Sequence, residues 1–213
     1  MPLPHPFHLM NSKVIIPSPI YIFDLDDVLM PTGAIFSQPH VQGMLRSIPK
    51  QDTINTYSTY QQIIRKDLKL NKLLAELKSD RYLLTNGSQL HALASLHAIG
   101  ISDYFINMVH SNSGVGLKPN HGPYALMEHI IRNRYSPNVP LNQPAQLPPF
   151  VFFDDRVENH EHPKQRGWTT VWIYPYATNS ILKPNYVDYV FPDIYIALEY
   201  FIMIQNQYAS GSE

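Results

Sequence analysis

The chain has 213 residues, 44% of them hydrophobic, which suits one domain with a real core or a core domain carrying a small insertion. With 16 Lys and Arg against 17 Asp and Glu the formal net charge is −1, so no overall charge draws it to nucleic acid or to an anionic membrane. There is no cysteine, which excludes disulfides, thiolate metal sites and cysteine nucleophiles and fits a reducing, cytoplasmic setting.

Residues 1–18 contain Pro2, Pro4, Pro6 and Pro17 and lack a basic start. They read as a Pro-rich, flexible tail rather than a signal peptide. No apolar run approaches the roughly 18 residues of a membrane span. Tyr21-Ile22-Phe23 is a short apolar strand ending at Asp24. Residues 31–67 have weak periodicity and read as a small insertion over a site, with one or two short helices. Leu70, Leu73, Leu74 and Leu77 mark one face of a helix. Tyr82-Leu83-Leu84 is a second strand, ending at Thr85. Leu90, Leu93, Leu96 and Ile99 recur at threefold spacing, with Gly100 as a helix stop.

Phe105 to Val109 reads as a further strand, and Pro123 opens a helix whose apolar side is Leu126, Met127, Ile130 and Ile131. Residues 135–149, rich in Pro, Asn and Gln, predict a surface loop. Phe150-Val151-Phe152-Phe153 is the most apolar strand and ends at Asp154. Thr169 to Tyr174 and Val187 to Phe191 predict two more strands, and Ile194, Leu198, Phe201 and Ile202 a last helix. Strands alternating with helices predict an α/β fold, a three-layer Rossmann-like parallel sheet covered on both faces. Ligands of such sheets sit outside the carboxyl ends of the strands, where Asp24, Thr85 and Asp154 all fall.

The residues at those ends can do chemistry together. Asp24 and Asp26 lie two apart, so one carboxylate can attack while the other trades protons with a leaving group. Thr85-Asn86-Gly87 offers a hydroxyl, an amide and backbone N–H groups to phosphate oxygens. Lys118-Pro119, after Ser113-Gly114-Val115-Gly116, presents an ammonium that can balance both a carboxylate and a phosphate. Asp154-Asp155 beside Asp24 would repel one another without a cation, and magnesium suits such an all-oxygen set. Taken singly, each acidic or Asn-Gly pair is also the composition of an ordinary turn. His91 reads as a structural residue on a helix face, with a substrate contact as the alternative. His160-Glu161-His162 looks like a metal cluster but follows the last motif, and no second metal is expected there. Phe36, Tyr57 and Tyr60 could stack on a base or form the insertion's own core.

In order, Phe23-Asp24-Leu25-Asp26-Asp27-Val28-Leu29, Leu84-Thr85-Asn86-Gly87, Gly116-Leu117-Lys118-Pro119 and Phe153-Asp154-Asp155-Arg156-Val157-Glu158-Asn159 resemble the four motifs of the haloacid dehalogenase superfamily. The resemblance covers about residues 20–30 and 67–205. It implies a core of residues 19–30 and 68–213 with a cap at 31–67. It further implies Asp24 as phosphorylated nucleophile, Asp26 as general acid and base, Thr85 and Asn86 as phosphate binders, and Lys118 as charge balance and phosphate binder. Magnesium would be held by Asp24, the backbone carbonyl of Asp26, Asp154 and Asp155. The family's dehalogenases lack an acid at the position of Asp26, because a halide leaves without a proton, so the implied reaction is hydrolysis of a small-molecule phosphomonoester.

Asp67-Leu68-Lys69-Leu70, His91-Ala92 and Leu96-His97-Ala98-Ile99-Gly100-Ile101-Ser102-Asp103-Tyr104-Phe105 further resemble the pyrimidine 5′-nucleotidase branch. That implies a nucleoside 5′-monophosphate substrate. The branch usually carries Gly or Asn where Asp27 stands, Ser where Arg156 stands, and a longer cap. Sugar or small-metabolite phosphates are the alternative substrates, and a non-catalytic binding module on the same fold is the alternative class. The expected assembly is a monomer or weak homodimer.

Overall fold

The computed structural model describes residues 18–48, 52–140, 142–177 and 182–210. All but Ser18 of the predicted tail lies outside them. Six parallel strands form one sheet, β1 (Ile20–Phe23), β2 (Arg81–Leu84), β3 (Asn107–Val109), β4 (Phe150–Asp154), β5 (Thr169–Ile173) and β6 (Tyr189–Phe191), in the order β3-β2-β1-β4-β5-β6. The predicted α/β class and parallel sheet are therefore observed.

Side-chain alternation along the central strands builds two cores. Ile20, Ile22, Tyr82, Leu84, Phe150 and Phe152 face one side, where α6 (His121–Tyr135) covers them with Tyr124, Met127 and Ile131. Tyr21, Phe23, Leu83, Val151 and Phe153 face the other, under α4 (Leu68–Glu76), α5 (Gln89–Ile99) and α8 (Ile194–Ser210). Both faces are buried, which is why these strands read as continuous apolar runs. No helix among the described residues is long and apolar enough to cross a membrane.

Several expectations are corrected. The described part of residues 31–67 holds three helices, α1 (Thr32–Phe36), α2 (Pro39–Arg46) and α3 (Thr53–Ile63), not one or two. Their buried residues number only Val41, Thr56 and Tyr60, so they leave little apolar period to read. Start signals were nonetheless present: Pro39 opens α2, and the Asp52 carboxylate accepts from Asn55 N at 3.0 Å to cap α3. On α5 Ala92, Ala94, Ser95, Leu96, Ala98 and Ile99 are buried while Leu93 is exposed, so the buried face does not follow the threefold Leu spacing. Gly100 stops α5 as expected, at φ 85°. Helix α6 starts at His121, with Pro123 inside its first turn, where a missing N–H costs nothing. Strand β3 begins only at Asn107 because Ser102–Tyr104 forms a 3₁₀ turn. Strand β6 begins at Tyr189 because Val187 N still bonds Pro184 O in a turn. The described residues between α6 and β4, 136–140 and 142–149, are loop as predicted.

The start of α6 is pressed against the Gly-rich loop. A Cβ on Gly122 would lie 2.1 Å from the Val115 carbonyl oxygen. Gly122→Ala should therefore destabilise the protein by about 2–3 kcal/mol, the scale of overpacking against backbone, and displace the loop that carries Lys118. An unchanged denaturation midpoint would contradict that contact.

Candidate active site

The chain runs from β1 outward through β2 to β3, then crosses back to β4 on the other side of β1. Connections thus diverge at the carboxyl ends of β1 and β4, where a crevice opens. Asp24 follows β1, with its N–H bonded to Phe153 O at 2.8 Å, and Asp154 is the last residue of β4. Stacking of Phe23 on Phe153, with ring centroids 4.7 Å apart, locks the two strand ends together.

Lys118 joins the two aspartates. Its Nζ donates to Asp24 Oδ1 at 2.9 Å and to Asp154 Oδ2 at 2.6 Å, and the residue is only 4% exposed. Asn86 positions it from behind: its side chain accepts from Lys118 N at 2.8 Å and donates to Lys118 O at 3.0 Å. Asp154, fully buried, is also held at Oδ1 by Arg156 N at 2.9 Å and Asn159 Nδ2 at 2.8 Å. Asp24 Oδ1 also accepts from Leu25 N at 2.8 Å.

One ammonium stands among three carboxylates, because oxygens of Asp24, Asp154 and Asp155 lie within 4.8 Å of one another. Burial, with repulsion from Asp154, pushes the Asp24 carboxyl up against the pull of Lys118. Burial and Asp154 likewise push Asp155 up to about 6. Burial alone would lower Lys118, but Asp154 and Asp24 outweigh it and hold the amine above its usual range. An all-oxygen set with surplus negative charge fits a hard divalent cation.

Asp26 stands apart from this cluster. The strand does not continue through it; it forms an isolated bridge with Met30 instead. Its Oδ1 accepts from Thr32 Oγ1 at 2.7 Å and bonds His91 Nε2 at 2.8 Å. Burial pushes this carboxyl up, yet His91 and Thr32 outweigh it and leave it below the usual range. His91 Nδ1 in turn meets the Tyr60 hydroxyl at 2.9 Å. His91 thus links the Asp26 carboxylate to the Tyr60 hydroxyl.

His91 is the residue that sequence reasoning placed on a structural helix face. The usable signal was position: Ser88 caps α5, so His91 lies in the first turn of the helix that follows a site strand. Phe36 and Tyr60 belong to the same group, with Phe36 5.6 Å from the Tyr60 ring and 6.0 Å from the His91 ring. Tyr57 turns away to His97. Thr85 Oγ1 accepts from Gly87 N at 3.0 Å. Asp27 occupies the left-handed region at φ 58°, which Gly and Asn adopt most readily, and its carboxylate accepts from Gly33 N at 2.8 Å. The buried His160 directs its ring nitrogens at the carbonyls of Arg156, Val157 and Val171, not toward a metal cluster.

Solved structures share this architecture. L-2-haloacid dehalogenase from Xanthobacter autotrophicus matches at TM-score 0.54 and 14% identity, covering 84% of this chain and 96% of that one. CbbY from Rhodobacter sphaeroides, in complex with phosphate, matches at 0.54 and 15% identity, covering 83% and 94%. YfnB from Bacillus subtilis, bound to magnesium, matches at 0.52 and 12% identity, covering 86% and 98%. The chain has a haloacid dehalogenase-like fold. At these identities the likeness is one of fold. No family model and no curated protein matches the sequence.

Proposed function

We propose that this haloacid dehalogenase-like protein is a magnesium-dependent phosphomonoesterase that works through an aspartyl phosphate on Asp24. The observation that supports it is the Lys118 bridge between Asp24 and Asp154 at the switch point, with Asp155 alongside and Asp26 held on its own network. Asp24 Oδ1 is engaged by Lys118 and Leu25 N, so Oδ2 is the oxygen that attacks phosphorus. The ester P–O bond breaks as Asp26, which takes up the proton of a monoanionic phosphate ester on binding, gives it to the leaving alkoxide. Asp26 then takes a proton from water, which attacks the phosphorus, releasing inorganic phosphate and free Asp24.

Thr85 and Asn86 hold the phosphoryl oxygens, Asn86 through its backbone N–H because its side chain is committed to Lys118. Lys118 balances the charge. Asp24, Asp154, Asp155 and the Asp26 carbonyl would hold magnesium, which would neutralise phosphate charge. Asp26 favours an ester over the halide of the dehalogenase neighbour, because a halide needs no proton. In this reading residues 31–67 are the cap, and residues 19–30 and 68–213 the core. Nucleoside 5′-monophosphates are the substrates to which the sequence resemblance points, with sugar phosphates as the alternative.

Hydrolysis of p-nitrophenyl phosphate with magnesium, lost in EDTA and restored by magnesium but poorly by calcium, is the expected result. Calcium accepts longer bonds and more ligands than magnesium and so misplaces the attacking carboxylate. Full activity after exhaustive chelation would remove the metal from the account, and absence of turnover on every ester would remove the phosphatase.

Magnesium affinity should also rise with pH. Both Asp24 and Asp155 are pushed up, so each must shed a proton to become a ligand, Asp155 near 6. Calorimetric titrations between about pH 5 and 7 should show tightening binding with proton release. A pH-independent affinity would contradict the raised carboxyls.

A further inference from the structure

A cleft of about 350 Å³ opens between α2, α3 and the start of α5. His91 joins it to the phosphate site, since its ring lines the cleft while Nε2 bonds Asp26. A leaving group that Asp26 protonates is therefore released next to a residue of the cleft wall. Four half-buried apolar side chains, Phe36, Leu45, Ile48 and Leu90, face the space. The principal polar groups of its wall already have protein partners. The Tyr60 hydroxyl is on His91 Nδ1, both His91 ring nitrogens are engaged, and the Thr56 hydroxyl donates to Asp52 O at 2.6 Å. Among the described residues no Lys, Arg, Asp or Glu lines the cleft.

A polyhydroxylated or charged group entering there would give up water and find few new partners. An apolar group would gain from removal of its own surface and of the four side chains from water. We propose that this cleft is the leaving-group subsite and that it takes uncharged, apolar alkyl or aryl groups. The proposal rests on the phosphomonoesterase reading and narrows it to apolar leaving groups, away from the nucleotide and sugar phosphates to which the sequence resemblance points. It also makes the enzyme permissive, because apolar contacts alone discriminate by only about 10–200-fold.

The test is kcat/KM with magnesium across phosphates of primary alcohols, whose leaving oxygens are similar in basicity: ethyl, butyl, hexyl, 2-phenylethyl and glycerol 1-phosphate, with glucose 6-phosphate and uridine 5′-monophosphate. The expected result is a rise of about 3–4-fold per methylene until the cleft is full. 2-Phenylethyl phosphate should exceed glycerol 1-phosphate by roughly 30-fold, within the range apolar contacts allow. Phe36→Ala and Leu45→Gln should each shrink the hexyl-to-ethyl ratio by about fivefold or more. If either variant fails to fold, the wild-type series decides alone. The proposal is overturned if glycerol 1-phosphate, glucose 6-phosphate or uridine 5′-monophosphate equals or exceeds hexyl phosphate while p-nitrophenyl phosphate is turned over. If no ester is turned over at all, p-nitrophenyl phosphate included, the phosphomonoesterase reading fails and this proposal fails with it.

Discussion

Asp24→Asn should abolish turnover and leave the protein folded. An amide cannot form the acyl phosphate, and loss of a covalent nucleophile costs on the order of 10⁴–10⁶-fold in kcat. The fold should not suffer. Asp24 is a buried carboxyl pushed up by burial and by Asp154, so removing its charge relieves repulsion while Lys118 keeps its 2.6 Å contact with Asp154. The melting temperature should stay level or rise. A purified variant with wild-type kcat would take Asp24 out of the mechanism.

Lys118→Met should cost both activity and stability. The ammonium lies between two buried carboxylates, and breaking a buried ion pair by deleting one partner costs about 3–5 kcal/mol, because the remaining charge is left uncompensated. For a chain of this size that lowers the melting temperature by about 10 °C. The sign of the pH dependence follows. Without Lys118 nothing offsets the burial and the Asp154 repulsion that push the Asp24 carboxyl up, so the folded variant binds more protons there than the unfolded chain. Its stability then falls as pH rises above the unfolded carboxylate range, near 4, and acid restores it. Magnesium should recover part of the lost stability by binding only the folded state. Activity should fall by roughly 10²–10³-fold, the scale of removing one preorganised electrostatic partner. Wild-type melting temperature and kcat in this variant would contradict the bridging geometry.

Legibility in the sequence followed burial. Strands β1, β2 and β4 are covered on both faces, so Tyr21-Ile22-Phe23, Tyr82-Leu83-Leu84 and Phe150-Val151-Phe152-Phe153 are visible as apolar runs, and the residues that end them mark the crevice. Lys118 was legible through its loop motif, although its partner Asp154 is 36 residues away. Helices α1 to α3 were not, because they bury too little to impress a period. The face of α5 was misread because Ala92, Ala94 and Ala98 carry its buried surface, and small side chains give the period little contrast against Leu93.

The link from Tyr60 through His91 to Asp26 was illegible for a different reason. His91 lies 65 residues from Asp26 and 31 from Tyr60, and only the packing of α3 along α5 brings the three together. Nor could residue types alone show that Asn86 spends its side chain on the Lys118 backbone.

The phosphorylated residue itself is the most direct test. Enzyme mixed with excess p-nitrophenyl phosphate and magnesium can be quenched in acid within the first turnovers. Treatment with borohydride then reduces any acyl phosphate, and peptide mass spectrometry locates the reduced residue. The account predicts conversion of Asp24 to homoserine, dependent on substrate and absent in Asp24→Asn. Reduction at another carboxylate, or none while phosphate is released, would contradict an aspartyl phosphate on Asp24.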